Sequence, residues 1–155
     1  MKKIIPVIIC VLAVIGFADS AYLTLVHYNF VEYGLLLFKS TCNYASGNCE
    51  TAAKLDQFSL IGIPYSLIGA AYYALIMGVA YLRIHTKKWP VPTLLMGFFF
   101  MGLIYSIYLV HLLIFKLQIP CPFCLAAHAI NFSIAILYAL SLHLDIEVWR
   151  PALHW

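Results

Sequence analysis

Apolar and polar positions along the chain divide it into four long apolar runs with short polar breaks. A membrane-spanning helix needs about 20 mostly apolar residues. Residues 4–26 qualify, with Asp19 as the one charged interruption. Residues 58–82, 89–115 and 117–144 also qualify, and none of them contains Asp, Glu, Lys or Arg. The pattern predicts four spanning helices at about these limits. The longest polar stretch, 27–57, lies between the first two. Its opening part, 28–38, is too short to span and is rich in Tyr and Phe, which suit the membrane–water interface. Its later part carries Cys42 and Cys49, with the turn formers Asn43, Ser46, Gly47 and Asn48 between them.

Composition agrees with the pattern. Apolar residues make up 65% of the 155 positions and charged ones 10%, against roughly 25% charged in soluble domains. So few charges cannot coat a water-facing surface, and mean hydropathy is +0.96. The expectation is a single membrane domain over 1–155. Met1-Lys2-Lys3 before an apolar run resembles a signal peptide, but the run is long enough to span and is read as a retained first helix. No basic run interleaved with aromatics suggests nucleic acid.

Charge placement predicts orientation. Four spans put both termini on one side, together with Lys2, Lys3, Arg83, Lys87, Lys88 and Arg150. The other side holds Lys39, Lys54 and Lys116. The more basic side is expected in the cytoplasm. The loop bearing Cys42 and Cys49 then faces outward, as does the start of the fourth helix, where Cys121 and Cys124 lie. Ser66, Ala70, Ala74 and Gly78 form a small-residue stripe on the second helix, a surface on which helices can approach closely.

The chemistry lies in the cysteines. In Pro120-Cys121-Pro122-Phe123-Cys124 a helix starting at the motif places Cys121 near its N-cap and Pro122 in the first turn, where Pro is tolerated. Cys124 falls in that turn, where unpaired N–H groups and the helix dipole are expected to stabilise a thiolate. Cys-x-x-Cys closes and reopens locally, which suits two-electron exchange. As a static disulfide it closes too small a loop to staple a fold efficiently. Cys42 and Cys49 fit an ordinary outer-face disulfide equally well when taken alone. Beside a Cys-x-x-Cys on the same face, they read as a shuttle pair. A four-cysteine zinc site lacks the second Cys-x-x-Cys that such sites use, so no metal is expected. Cys10 reads as a small apolar residue of the first helix.

These motifs together resemble the vitamin K epoxide reductase family. The resemblance runs through Asp19-Ser20-Ala21-Tyr22-Leu23-Thr24 and His27-Tyr28, then Cys42-x6-Cys49, then Ser59, Gly62-Ile63-Pro64 and Gly69, and ends at Cys121-Pro122-Phe123-Cys124. It implies an all-α membrane protein, a four-transmembrane-helix bundle around a quinone site, with a cysteine-bearing outer loop between helices 1 and 2. It implies a thiol:quinone oxidoreductase that supports disulfide formation. The electron donor would be an external thioredoxin-like dithiol protein, and the acceptor a quinone of the ubiquinone, menaquinone or vitamin K type. Many prokaryotic members carry the thioredoxin-like partner fused at the C-terminus; here the chain ends at Trp155, so a separate partner is expected. Carried over by position, Cys42 would exchange with that partner and Cys49 would attack Cys121. Cys124 would face the quinone. Phe123, His128, Tyr65 and Ser59 are the implied quinone-binding candidates.

Two positions depart from the animal members. His128 stands where they commonly have Tyr, one turn beyond Cys124, able to bond a quinone carbonyl or to sit satisfied between helices. Tyr65 falls near their quinone-binding Asn. Asp19, an acid within an apolar span, reads as a proton relay or a structural hydrogen-bonding group. Asn131 and His111 read as helix–helix hydrogen-bonding groups. The rival functions are reduction of vitamin K quinone or its epoxide, and a non-enzymatic membrane protein with structural disulfides. The unrelated four-helix quinone-linked disulfide generators of bacteria place Cys-x-x-Cys in the first outer loop, the reverse of the order here.

Overall fold

The computed structural model describes residues 4–28, 30, 59–60, 63–116, 118 and 121–149. Four helices dominate it: α1 (Ile4–His27), α2 (Tyr65–Thr86), α3 (Pro92–His111) and α4 (Pro122–Trp149). A π-helical turn, Leu112–Lys116, continues α3. Two short antiparallel strands, β1 (Ser59–Leu60) and β2 (Ile63–Pro64), precede α2 with Ser59 opposite Pro64. All four long helices are long and apolar enough to cross a membrane, and the protein is a multi-pass integral membrane protein. Many large apolar side chains point away from the bundle, among them Val11 on α1, Leu94 and Phe100 on α3, and Ile136 on α4. Lipid is the solvent that makes such a surface stable.

Helix limits differ from the hydropathy reading in α2, α3 and α4, each for a local reason. The second helix starts at Tyr65 rather than 58, because Pro64 sits in extended backbone at its N-cap and the preceding residues pair as strands. It then runs through Arg83 to Thr86, where Lys87 in the left-handed region closes it by donating to the Arg83 carbonyl (2.9 Å). The third helix starts at Pro92, its N1 residue, rather than at Trp89. Pro is suited to N1, since no helical partner exists there for an N–H. The fourth starts at Pro122 rather than 117 and continues past Leu144. Both underestimates of a helix end came from taking a charge as a limit. Arg83 and Asp145 instead pair with each other at 2.8 Å, and the Arg83 guanidinium lies 5.6 Å from the Trp89 ring.

Side-chain contacts set the direction of each helix. Thr24 near the end of α1 bonds Ser66 near the start of α2 (3.0 Å). Tyr73 of α2 donates to the Ala127 carbonyl of α4 (2.6 Å), and Arg83 meets Asp145 three turns on. Thus α2 and α4 run parallel, with α1 antiparallel to both. α3 also opposes α4: Ser106 lies near His128, and the Pro92 carbonyl accepts from Tyr138 (2.9 Å). The chain therefore leaves α1 and re-enters at β1 on the same face as the start of α4. Ile9, Ala13, Ile76, Ala80, Phe99, Ile134 and Tyr138 fill the core toward the opposite face. There Trp89 donates to Ser141 (3.1 Å) and closes the turn between α2 and α3 against α4.

The α1–α2 contact depends on missing side chains. A Cβ on Gly16 would stand 2.6 Å from the Tyr73 ring, and one on Gly69 3.1 Å from the Ser20 hydroxyl oxygen. The stripe on α2 takes part at its first half only. Ser66 bonds α1 and Ala70 is buried, whereas Gly78 is exposed with open space around it.

Gly16→Ala is expected to destabilise the protein by about 1–3 kcal/mol, the usual scale of overpacking, because Tyr73 is anchored at its hydroxyl and cannot swing aside. Gly78→Ala should be neutral or slightly stabilising. Thermal unfolding of the two variants in detergent checks this, and equal losses would show that close helix approach is not the constraint.

Candidate functional site

α4 opens on the Cys-x-x-Cys motif. Cys121 is the residue before its first helical position, is fully buried, and accepts a hydrogen bond from the Cys124 backbone N–H at 3.4 Å. That is the geometry of a helix N-cap, with sulfur in place of the usual oxygen. Both cysteines are free thiols. The sequence reading assigned the stabilised thiolate to Cys124; the cap places it on Cys121. The Cys124 side chain also bonds Cys121 and is the main cause that lowers the Cys121 pKa, with burial opposing it.

Cys124 instead faces inward. It lines a cavity of about 170 Å³ to which all four helices contribute. One water needs only ~10–15 Å³ measured this way, so the space suits a ring-sized organic molecule. Its walls are mainly apolar, from Leu23, Ile68, Leu109 and Leu113, with a few polar groups among them. Such walls suit a flat apolar ring with polar oxygens, and a quinone head group fits that description.

The polar groups form a connected set. Asn131 is buried and donates from Nδ2 to the Gly102 carbonyl (3.0 Å) and to Ser106 Oγ (2.7 Å). Its Oδ1 accepts from the Tyr72 hydroxyl (2.8 Å). Ser106 also lies 3.1 Å from His128 Nδ1. Gly102 makes room for this: a Cβ there would stand 2.5 Å from the Tyr72 hydroxyl oxygen. On another wall, Thr24 holds Ser66 (3.0 Å), and both Ser66 and Ser20 border the cavity.

The candidate residues divide. Cys124, His128 and Tyr65 border the cavity, Tyr65 packing edge-on to Tyr105 with ring centres 5.5 Å apart. Phe123 packs against Tyr22 (6.1 Å between centroids) and is not among the cavity's lining residues. Ser59 pairs through its backbone in β1. Its side chain, like Cys42 and Cys49, lies outside the described residues. Asp19 precedes the cavity residue Ser20, has a buried Oδ2 with no partner among the described residues, and acts electrostatically on both Cys121 and Cys124. His111 is exposed and packs on Phe115 (5.1 Å). Asn131 does bond neighbouring helices, as its sequence position suggested, but it borders the cavity as well. Tyr72, Tyr105 and Ser106 were not singled out from sequence. The one available signal was a lone Ser in an otherwise apolar part of α3, where a polar side chain in lipid needs a reason.

The sequence profile of the vitamin K epoxide reductase family matches residues 7–139. No curated protein matches the chain. The matched range takes in α2 and α3, most of α1 and α4, and every residue that lines the cavity.

The first thiolate to form in the reduced protein should be Cys121, at a pH below the ordinary cysteine range. Cys124→Ala removes the main lowering contact and should move that titration upward. Ultraviolet thiolate absorbance, read with Cys10, Cys42 and Cys49 replaced by Ala, checks the direction. An identical titration with and without the Cys124 side chain would contradict the sulfur–sulfur contact as the main cause of the shift.

Proposed function

The chain belongs to the vitamin K epoxide reductase family, whose members are quinone-dependent thiol–disulfide oxidoreductases, and from that premise we propose that it oxidises an external thioredoxin-like dithiol protein. The electrons enter at Cys42 and Cys49, cross to Cys121 and Cys124, and leave on a membrane quinone. The observation that carries this reading is the division of the Cys-x-x-Cys pair, Cys121 at the helix cap and Cys124 on the cavity wall.

In the proposed cycle the partner's dithiol reduces the Cys42–Cys49 disulfide by exchange. Cys49 then attacks Cys121 of the Cys121–Cys124 disulfide, and Cys124 leaves as a thiolate. Cys42 resolves the mixed disulfide, so one disulfide is exchanged for another and both Cys121 and Cys124 are reduced. Attack at Cys121 releases Cys124 on the cavity side. A quinone bound there accepts two electrons and two protons, and the Cys121–Cys124 disulfide reforms. Each turn makes one disulfide in the partner and one hydroquinone. His128 and Tyr65 supply polar contacts within the cavity. Asp19, close to both sulfurs and within the bundle, receives a proton when a thiol is oxidised. Phe123, packed on Tyr22, fixes the motif against α1. Ser59 steadies the entry to α2.

The distribution of basic residues supports cytoplasmic termini and an outer face for the cysteines, six against three. That side is where disulfides persist, and the product is accordingly disulfide bonds in proteins outside the cytoplasm.

Purified protein reduced with dithiothreitol and freed of reductant is expected to reduce ubiquinone, menaquinone or vitamin K quinone without oxygen, followed by ultraviolet absorbance. Cys124→Ala should show no reduction above background. Failure of the parent with all three quinones would sink the redox assignment and favour structural disulfides.

A further inference from the structure

The hydrogen-bond network behind the cavity has a fixed polarity, and it can be read from one end to the other. The Gly102 carbonyl oxygen only accepts, so the Asn131 atom 3.0 Å from it must be the amide nitrogen. Reversing the amide would set two carbonyl oxygens against each other. With that end fixed, Oδ1 is the atom that meets Tyr72, and the Tyr72 hydroxyl donates to it (2.8 Å). The amide nitrogen has two hydrogens. One goes to Gly102 and the other to Ser106 Oγ (2.7 Å).

Ser106 thus accepts from Asn131 and has one hydrogen of its own to place. Thr24 and Ser133 turn theirs to the carbonyl four residues back. For Ser106 that carbonyl is Gly102, whose two acceptor positions are met by the helical Ser106 backbone N–H and by Asn131 Nδ2. The acceptor within reach is His128 Nδ1, at 3.1 Å. A hydrogen on Nδ1 would leave two donors facing one another, with the Ser106 hydrogen buried and without an acceptor among the described residues. Ser106 is 4% exposed, so no solvent relieves that arrangement. Nδ1 is therefore the acceptor, and in the neutral ring Nε2 carries the hydrogen.

We infer that Ser106 and Asn131 are positioning residues that hold His128 as its Nε2–H tautomer, so that the imidazole presents a hydrogen-bond donor to a carbonyl oxygen of the ligand in the cavity. The ligand role rests on the proposed quinone function; the tautomer does not. His128 borders the cavity one turn beyond Cys124. Its Nδ1 end is held by α3, which leaves Nε2 as the polar end available to the cavity. A quinone carbonyl has acceptor lone pairs and no hydrogen, so it suits a fixed donor. A hydroquinone hydroxyl must instead turn its oxygen lone pair toward Nε2. Fixing the tautomer thus favours the oxidised ligand, the form that must enter to take electrons from Cys124.

Nitrogen NMR of the histidine-labelled, full-length protein in detergent tests the tautomer without any quinone. At about pH 8, above the ordinary imidazole range, His128 should show a protonated Nε2 and a bare Nδ1. Its signals are assigned by their loss in His128→Gln. Ser106→Ala should turn the single tautomer into a mixture and lower kcat/KM for the quinone roughly three- to ten-fold, the scale of one hydrogen bond. Ser106→Thr, which keeps the hydroxyl, should restore both. A protonated Nδ1, or a mixture already present in the parent, overturns the inference whatever the quinone assay gives. An unchanged single tautomer in Ser106→Ala overturns the role of Ser106. A correct tautomer in a protein that reduces no quinone removes the ligand role together with the proposed function and leaves the tautomer standing.

Discussion

One side chain, Asn131, joins three of the four helices around the cavity. From α4 it reaches Tyr72 on α2 and both Gly102 and Ser106 on α3. In lipid, a primary amide has no water to fall back on, and every unsatisfied donor or acceptor costs free energy. The amide therefore fixes the spacing of its neighbours instead of following it. α2 and α3 meet through aromatic side chains, Tyr65 on Tyr105 and Tyr72 on Phe98, and both hydrogen-bond to α4. A cavity between helices would ordinarily collapse or fill with side chains, since protein interiors are close-packed. Here the polar network braces its walls, and the aromatic and leucine side chains around it are held back from the centre.

The opposite end of the bundle is closed by a second polar cluster of a different kind. Arg83, 7% exposed, meets Asp145, 25% exposed, and the guanidinium also lies over Trp89. Breaking such a pair is costlier than forming it is favourable, because one charge would be left behind. The cluster is better understood as fixing register than as adding stability. With α2 and α4 tied at Arg83–Asp145 and again at Tyr73–Ala127, neither helix can slide by a turn. That sets how far Cys124 and His128 extend beyond the core. The position of the redox pair thus depends on contacts near the other membrane face.

The sequence revealed the helices because apolar runs of spanning length have few other uses. It revealed the cysteine site because Cys-x-x-Cys at a Pro-flanked helix start carries its own chemistry. It misjudged ends wherever hydropathy and local stereochemistry disagreed. Pro64, Pro92 and Pro122 start helices inside apolar runs, and Arg83 and Asp145 remain helical beyond them. Burial of Arg83 depends on a partner 62 residues away, which hydropathy cannot show. Asn131 was recognisable as a helix-bonding group, but Ser106 and Tyr72 were not, because one Ser or Tyr in an apolar helix is common. Only the meeting of α2, α3 and α4 makes a network of them. The dipole argument locates the first turn and its N–H groups, but only the structure shows that the Cys121 sulfur turns back to one of them.

That last point bears on how a single pair can both take and give electrons. A helix cap that stabilises a thiolate stabilises the reduced pair, and this makes the disulfide a stronger oxidant of incoming dithiols. The same stabilisation opposes passing the electrons onward. The potential belongs to the pair whichever sulfur meets the quinone, so what can be divided is the sulfur of entry from the sulfur of exit. The fold separates the two. Cys121 accepts the cap N–H at the start of the helix, and Cys124 borders the cavity. On the proposed reading, the stabilised sulfur is the one attacked by the shuttle pair, and the other faces the acceptor. A thiolate formed at Cys121 can pass its charge to Cys124 by one proton transfer between neighbouring sulfurs. The energetic cost of leaving the cap is then met within the pair, close to Asp19, rather than by movement of a helix.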